Sequence, residues 1–165
     1  MGVRDSGFSD FVRSRSTALL RVAYLLTGDR HTAEDLLQEV LEQMYVRWSR
    51  VHTAPEAYAR RALVNRAANR RRRFLRRPEK PLAEWDVATA DRTDDMVLRD
   101  AVVTALRTLT PHQRAAVVLR FLEDLPVADV AAALDCSVGA VKSHTARGLA
   151  RLRTELSLWN EWSPR

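Results

Sequence analysis

The sequence predicts an all-α protein of two small helical domains joined by a flexible linker, with a helix-turn-helix in the C-terminal domain. Apolar residues recur at the three- and four-residue intervals of amphipathic helices, and no stretch alternates as a half-buried strand would. Glycine and proline are scarce, at 5 and 6 of 165 residues. Hydrophobic residues make up 46% of the chain, which is enough to build a buried core.

A change in composition near the middle of the chain predicts the domain boundary. Residues 76–93 contain Pro78 and Pro81, mixed charges and only scattered apolar residues, which is typical of a linker. The two domains are therefore expected at residues 1–75 and 94–165. Each is small but within the workable range for a helical domain.

Three helices are predicted in the first domain. The first covers 8–26 and ends where Gly28 supplies a left-handed cap. Thr32 is predicted as the N-cap of a second helix over 32–47. A loop over 49–54 follows. Pro55 then opens a third helix, which ends near residue 75, because proline is favoured at the first helical position.

Four helices are predicted in the second domain, over 94–109, 110–122, 126–134 and 137–156. Thr110, Pro111 and Gln113 form a helix start with an N-cap, a first-position proline and a capping box. Asp135 and Cys136 form a turn, where an aspartate tolerates the left-handed conformation, and Ser137 caps the last helix.

Composition also limits the partners and the compartment. The net charge of +6 and the pI near 10.4 favour a polyanionic partner, either nucleic acid or an anionic membrane surface.

Cys136 is the single cysteine, so an intramolecular disulfide and a cysteine-based zinc site are excluded. Its small side chain is expected to be buried, and a redox role is the alternative. No window is long and apolar enough for a membrane span, and residues 1–10 lack the basic segment and apolar run that are typical of a signal peptide, so we expect a cytoplasmic protein.

The helix-turn-helix at 126–153 is the strongest local signal for function. Val130, Leu134, Val138 and Val141 are spaced to clamp its two helices together. The exposed side of the second helix would present small polar and basic groups that fit a DNA major groove: Ser137, Gly139, Ala140, Lys142, Ser143, His144 and Arg147. The alternative is an ordinary helical hairpin with a solvated basic face.

The third helix is unusually rich in arginine. Nine arginines and one acidic residue lie between residues 56 and 77, and like charges at helical spacing repel one another unless phosphates neutralise them. Asn65 and Asn69 lie four residues apart among them and could bond base edges. Tyr58 and Trp48 could stack on unpaired bases, and each is at least as well explained as a core residue.

The second helix carries an acidic face, formed by Asp35, Gln38, Glu39 and Glu42. Such a face cannot approach DNA favourably, so it predicts a protein partner. A solvated charged surface explains the pattern about equally well.

No catalytic or metal-binding pattern is present. The sequence lacks a phosphate-binding loop, a nucleophile elbow and a credible Ser/His/Asp set. His31 with its acidic neighbours fits turn and capping roles better than a metal site. The sequence therefore predicts a non-enzymatic protein without cofactor or metal.

Four segments in order resemble the extracytoplasmic-function (group IV) sigma factors of the sigma-70 family. Segment 33–41 (AEDLLQEVL) looks like the polymerase-binding helix of sigma domain two, and 57–72 (AYARRALVNRAANRRR) looks like its promoter-reading helix. Segments 109–114 (LTPHQR) and 137–143 (SVGAVKS) look like sigma domain four. The order, the linker and the total length match the short two-domain type, over roughly residues 8–156.

The resemblance implies a sigma factor that binds core RNA polymerase and reads the −10 and −35 elements of promoter DNA, with an anti-sigma factor as a conceivable regulator. Together with the helix faces described above, it predicts three sets of contact residues. The polymerase set is Asp35, Gln38, Glu39 and Glu42; the −10 set is Arg60, Arg61, Asn65, Asn69 and Arg70; the −35 set is Ser137, Gly139, Ala140, Lys142, Ser143 and Arg147. The alternatives are a stand-alone helix-turn-helix regulator, which would need to dimerise on paired half-sites, and a metal-dependent nuclease or phosphohydrolase, for which the ligands are missing.

Overall fold

A computed structural model describes the backbone of residues 3–75 and 94–162, and the side chains of residues 6–70 and 99–158. All of the elements in these ranges are helical, as the sequence predicts. The predicted linker over 76–93 and the side chains of Trp159 and Trp162 lie outside the described residues. No helix in the described ranges has the length and apolarity needed to cross a membrane.

The first domain contains four helices: α1 (Val3–Thr27), α2 (Arg30–Val46), α3 (Trp48–Val51) and α4 (Pro55–Leu75). Helix α1 packs against both α2 and α4, and α2 packs against α4. Gly28 has the predicted left-handed conformation, with φ of 75°, directly after α1. The core between these helices consists of buried side chains that include Leu19, Val22, Leu36, Val40, Met44 and Leu63.

Three local predictions in this domain are wrong, the first being the start of α1, which lies at Val3 rather than at residue 8. The N-cap of α2 is Asp29 rather than Thr32, because the Asp29 carboxylate accepts both the backbone N–H (2.7 Å) and the hydroxyl (2.6 Å) of Thr32, which lies in the first helical turn. The segment predicted as a loop at 49–54 begins with the single turn of α3, whose Trp48 packs edge-on against the ring of Phe8 at 5.3 Å between centroids. Trp48 is therefore partly buried and packs against the core of the first domain.

The second domain contains α5 (Asp94–Arg107), α6 (Pro111–Val117), a π-helical segment (Val118–Leu122), α7 (Val127–Leu134) and α8 (Val138–Trp162). The predicted capping box at the start of α6 is confirmed by reciprocal hydrogen bonds of 3.3 Å between Thr110 and Gln113. The helix predicted to run unbroken to residue 122 instead widens after Val117, where the Glu123 N–H bonds the Val118 carbonyl five residues back.

The two domains pack directly against each other. Helix α4 contacts α6 and α7, and α1 contacts α5 and α6, so buried residues of both domains form one continuous apolar cluster. Arg114 reinforces this contact: although its side chain is buried, Nη1 donates a hydrogen bond of 2.7 Å to the carbonyl of Leu26 in α1. The two helical units predicted from the sequence therefore share one apolar core in this conformation.

Candidate nucleic-acid interface

A groove with a volume of about 670 Å³ lies between α2 and α4. It contains four of the five residues predicted for the −10 set, namely Arg61, Asn65, Asn69 and Arg70. Helical periodicity explains this, since positions 61, 65 and 69 recur every four residues along one side of α4. The groove is lined by Glu39, Gln43, Tyr58, Arg61, Ala62, Asn65, Arg66, Asn69 and Arg70.

Arg60 does not belong with this group. Its guanidinium donates a 2.6 Å hydrogen bond to Glu56 one turn earlier, and its side chain is only 18% exposed. Successive residues of an α-helix lie about 100° apart around its axis, so position 60 points away from the side of α4 on which Arg61, Asn65 and Asn69 line the groove. The structure therefore does not bring Arg60 into the groove with Arg61.

Arg66, which was not in the predicted −10 set, is a central part of the groove. Its Nη1 donates to Glu39 Oε2 at 2.9 Å, and its Nη2 donates to Gln43 Oε1 at 2.7 Å. Arg70, one turn later, donates to the second oxygen of the same Glu39 carboxylate. One acidic side chain of α2 thus bridges two cations of α4. The only sequence signal for this pairing was the four-residue spacing of the two arginines.

These contacts also set the protonation of Glu39. Burial alone would raise the pKa of its carboxyl group, but the hydrogen bonds and charges of Arg70, and then of Arg66, outweigh that effect and lower the pKa. Glu39 is consequently a carboxylate at neutral pH.

The other members of the acidic set are on the outer surface of α2. Asp35, Gln38 and Glu42 are exposed, and they interact along their own helix, with Gln38 donating to Glu42 at 3.3 Å and His31 lying 3.7 Å from Asp35. The predicted acidic face is therefore divided. Three residues are available to a partner from outside, whereas Glu39 is directed toward α4.

The helix-turn-helix consists of α7 and α8 with a sharp turn between them. Asp135 has the predicted left-handed conformation, with φ of 51°, and the Ser137 hydroxyl accepts the Ala140 N–H at 3.0 Å, which confirms Ser137 as the cap of α8. Val130, Leu134 and Val141 are buried as predicted. Val138 is 42% exposed, so its predicted part in the clamp is wrong.

The outer side of α8 carries most of the predicted −35 set. Ser137, Gly139, Lys142, Ser143 and Arg147 are exposed, and Ala140 is half-buried among them.

His144 is less available than these residues because its ring stacks on His112 of α6, with 5.4 Å between centroids. Burial, and then the nearby charges of His112 and Arg147, lower the pKa of His144, which favours the neutral imidazole. His144 thus joins α8 to α6.

A second cavity, of about 240 Å³, lies between α4 and the second domain. Asn65 and Asn69 line it from α4, and Pro111, His112 and Leu134 line it from α6 and α7. The two asparagines therefore face both the α2–α4 groove and the helix-turn-helix domain. Within the described residues, no three His, Cys, Asp or Glu side chains are grouped so that they could hold a metal ion.

Comparison with known proteins identifies the family to which these surfaces belong. The model of "Sigma-70 region 2" matches residues 11–77, and that of "Sigma-70, region 4" matches residues 99–152. The RNA polymerase sigma-E factor of Streptomyces coelicolor is 41% identical over 155 residues, which cover 90% of this chain and 85% of the relative. The ECF RNA polymerase sigma factor SigM of Mycobacterium tuberculosis is 33% identical over 93% of this chain and 79% of the relative. The chain belongs to the extracytoplasmic-function group of the sigma-70 family.

This sigma factor binds core RNA polymerase and directs the initiation of transcription at promoter DNA. Its fold is also that of a solved structure, the sigma factor RpoE of Bartonella quintana in complex with the anti-sigma factor NepR. The TM-score is 0.71 at 24% identity, and the match covers 91% of this chain and 96% of the other. The α2–α4 groove lies within the region 2 match, and α7 and the first 15 residues of α8 lie within the region 4 match.

Proposed function

We propose that the sigma factor divides its binding functions between its two domains. Residues 1–75 bind core RNA polymerase and the −10 element, residues 76–93 connect the domains, and residues 94–165 bind the −35 element. The observation that carries this division is the arrangement of α2 and α4: the side of α4 in the groove is cationic and rich in amides, whereas the outer side of α2 exposes Asp35 and Glu42. These surfaces suit two different partners, one of them polyanionic and the other not.

The groove side of α4 would bind the −10 element. Asn65 and Asn69 carry amide groups that can pair with base edges, while Arg61, Arg66 and Arg70 can neutralise phosphates. Tyr58 lines the same groove and offers a ring on which an unpaired base could stack. Stacking and phosphate contacts of this kind offset the few kcal/mol that unstacking a base costs.

Helix α8 would bind the −35 element in the major groove. Lys142 and Arg147 are exposed cations one and two turns into the helix, with Ser143 beside them. At the N-terminal end, Ser137 and Gly139 leave the backbone accessible to phosphate oxygens. The half-buried Ala140 lets the helix approach base edges closely.

The outer face of α2 would bind core polymerase. Asp35, Gln38 and Glu42 are exposed, and no α4 cation whose side chain the structure describes engages them, so they remain available to a basic protein surface. The sigma factor would act in the cytoplasm, together with polymerase, and would catalyse no reaction itself.

Reading both elements at once would require the domains to separate. The −10 and −35 elements are about 25 base pairs apart, or ~85 Å along the duplex. In the packed conformation, by contrast, Asn65 shares a cavity of about 240 Å³ with Leu134 of the helix-turn-helix. We therefore propose that the packed form is a state of the free protein. An anti-sigma factor is a further proposed partner, since RpoE of similar fold was solved with one.

The proposal can be tested by transcription from a library of randomised promoters with holoenzyme reconstituted from core polymerase and the full chain. Sequencing of the transcribed templates should show two enriched sequence motifs, one at the −35 position and one at the −10 position. Lys142→Ala should alter only the upstream motif, and Asn65→Ala should alter only the downstream motif. Arg153→Ala, a matched loss of one exposed cation on α8, should alter neither motif.

The division of roles would be contradicted if Lys142→Ala altered the downstream motif, if Asn65→Ala altered the upstream motif, or if either variant altered both motifs. A chain that bound a palindromic duplex by itself, and neither co-eluted with core nor supported initiation, would instead be a stand-alone regulator.

A further inference from the structure

The contact between Glu39 and the two arginines joins the helix proposed for polymerase to the helix proposed for DNA. Arg66 and Arg70 lie one turn apart on α4, and both donate to the single Glu39 carboxylate of α2. Gln43, one turn after Glu39, accepts the second amine of Arg66 at 2.7 Å. Both terminal nitrogens of the Arg66 guanidinium are therefore bonded to α2.

These side chains remain within reach of solvent and of a ligand. The side chains of Glu39, Arg66 and Arg70 are 42%, 35% and 33% exposed, and all three line the 670 Å³ groove with Asn65 and Asn69. A phosphate that entered the groove would meet guanidinium groups already bonded to a carboxylate. It would also meet the negative charge of that carboxylate, since both oxygens of Glu39 face the groove cations.

We propose that Glu39 is a positioning residue that holds Arg66 and Arg70 on the protein and so competes with DNA phosphates for them. This inference rests on the proposed binding of DNA by α4. The competition is intramolecular, so the carboxylate is always present at a high effective concentration. A phosphate must displace it, which lowers the affinity of the free sigma factor for DNA.

The same contact would couple the two partners. Glu39 lies on α2 beside the exposed residues proposed to dock on polymerase, one turn from both Asp35 and Gln43. A cation of polymerase that bonded the Glu39 carboxylate would release the two arginines into the groove. Polymerase binding and DNA binding would then favour each other, because coupling between two ligands of one protein is reciprocal.

The test measures how DNA affinity depends on salt. The full-length protein is titrated, without polymerase, against a fluorescein-labelled 30-base-pair duplex of mixed sequence, and anisotropy is followed at several salt concentrations. Glu39→Gln keeps the shape of the side chain but removes its charge. The variant should bind the duplex about two- to tenfold more tightly at low salt. The slope of log affinity against log salt should steepen by about 1 to 2, the value for one or two added phosphate contacts.

Glu34→Gln is the matched control. Glu34 lies on the same helix and pairs with an arginine, Arg30, of that helix at 2.9 Å, so the substitution removes the same charge without freeing a cation of α4. The control should change the salt slope by less than the measurement error. An equal steepening in both variants would mean that net charge alone is responsible, and would overturn the proposal.

The Arg66→Ala, Arg70→Ala pair, made with and without Glu39→Gln, separates the inference from the proposed function. In the proposed case, the gain from Glu39→Gln disappears once both arginines are absent. If the arginine pair weakens binding equally in both backgrounds, α4 binds DNA but Glu39 does not restrain it. If the pair has no effect in either background, the assignment of DNA to α4 fails as well. A weaker affinity of Glu39→Gln would mean that the carboxylate orients the arginines for DNA, which also overturns the proposal.

The coupling is tested by core polymerase binding in the same set of variants. Removing Arg66 and Arg70 leaves Glu39 free for polymerase, so core affinity should rise about two- to tenfold in the chain with Glu39. The same pair should have no effect in the Glu39→Gln chain. Unchanged core affinity in both backgrounds would overturn the coupling. Thermal unfolding by circular dichroism checks that each variant is folded.

Discussion

Nη1 of Arg114 donates a 2.7 Å hydrogen bond to the carbonyl oxygen of Leu26, and these residues lie in different domains, 88 positions apart in the chain. The rest of the guanidinium bonds main-chain carbonyls at and just after the end of α5. Its Nε donates to Leu106 at 2.7 Å, and its Nη2 donates to Arg107 at 3.0 Å. The last carbonyls of a helix lack partners within it, so one buried cation satisfies the end of α5 and joins the domains.

Replacing Arg114 by lysine should destabilise the protein. An ammonium group cannot reach all of these carbonyls at once, and each buried acceptor left without a donor costs about 1–3 kcal/mol. We expect the free energy of unfolding, measured by urea denaturation, to fall by roughly 2–3 kcal/mol. Arg153→Lys, at an exposed position of α8, should leave the urea midpoint unchanged. An unchanged midpoint for Arg114→Lys would show that water replaces the lost donors.

Gly148 should not tolerate alanine, because α8 passes very close to α6 there. A Cβ at position 148 would lie 2.8 Å from Cγ2 of Val117. Overpacking of this kind costs about 1–3 kcal/mol, which should appear as a lower melting temperature. Val117→Ala in the same chain should recover part of the loss. Gly139→Ala, whose Cβ would have only the Ser137 hydroxyl near it at 3.8 Å, is the control. Failure of the second substitution to rescue would point to a backbone cause.

Asp29→Ala should remove the cap of α2 and destabilise the first domain by about 0.5–2 kcal/mol. The hydrogen bonds from the side chain and backbone of Thr32 lower the pKa of Asp29 below its ordinary value of 3.8. The folded state therefore favours the carboxylate. Its contribution to stability is complete above the ordinary pKa and is lost as the pH falls through the lower pKa of the folded protein.

Asp29→Asn serves as the matched variant for the pH dependence. An amide oxygen still caps the helix but does not titrate, so this variant should keep most of the stability at pH 7. Its melting temperature should depend less on pH than that of the parent chain in the range below 3.8. Identical pH profiles for the two chains would argue that Asp29 does not titrate differently on folding.

Asp35→Ala combined with Gln38→Ala should weaken binding to core polymerase, since both side chains are exposed on the outer face of α2. We expect a loss of about 5- to 20-fold in core affinity, measured by surface immobilisation of core polymerase. The salt slope for DNA binding by the free chain should stay the same, because neither residue lines the groove. Glu34→Ala on the same helix is the control. A change in DNA binding without a change in core affinity would reassign this face.

Lys142→Ala should reduce use of the upstream promoter element. A side chain that bonds a base edge contributes about 1–3 kcal/mol to discrimination, which corresponds to a loss of roughly 5- to 150-fold on the preferred element. Run-off transcription with reconstituted holoenzyme measures the effect on promoters that differ only in that element. A uniform loss across all promoters, with a shallower salt slope, would show that Lys142 contacts a phosphate instead.

Local signals in the sequence determined the helical class and most helix ends. The capping box of Thr110 and Gln113, the cap at Ser137 and the left-handed Asp135 are formed within three or four residues, so the sequence alone specifies them. Asp29 and Thr32 are both residue types that cap helices, and the predicted cap, Thr32, is not the observed one. The cap is decided by the residue at which the backbone becomes helical after Gly28, and α2 begins at Arg30.

Only the tertiary structure decided which side chains meet. Helical spacing shows that Arg66 and Arg70 share a face, but not that Glu39 lies opposite them, 27 and 31 residues away. It likewise leaves open that Arg60 turns to Glu56 and that Arg114 reaches Leu26. The physical reason is that periodicity fixes direction around a helix axis, whereas the neighbour in that direction is set by how helices distant in sequence pack together.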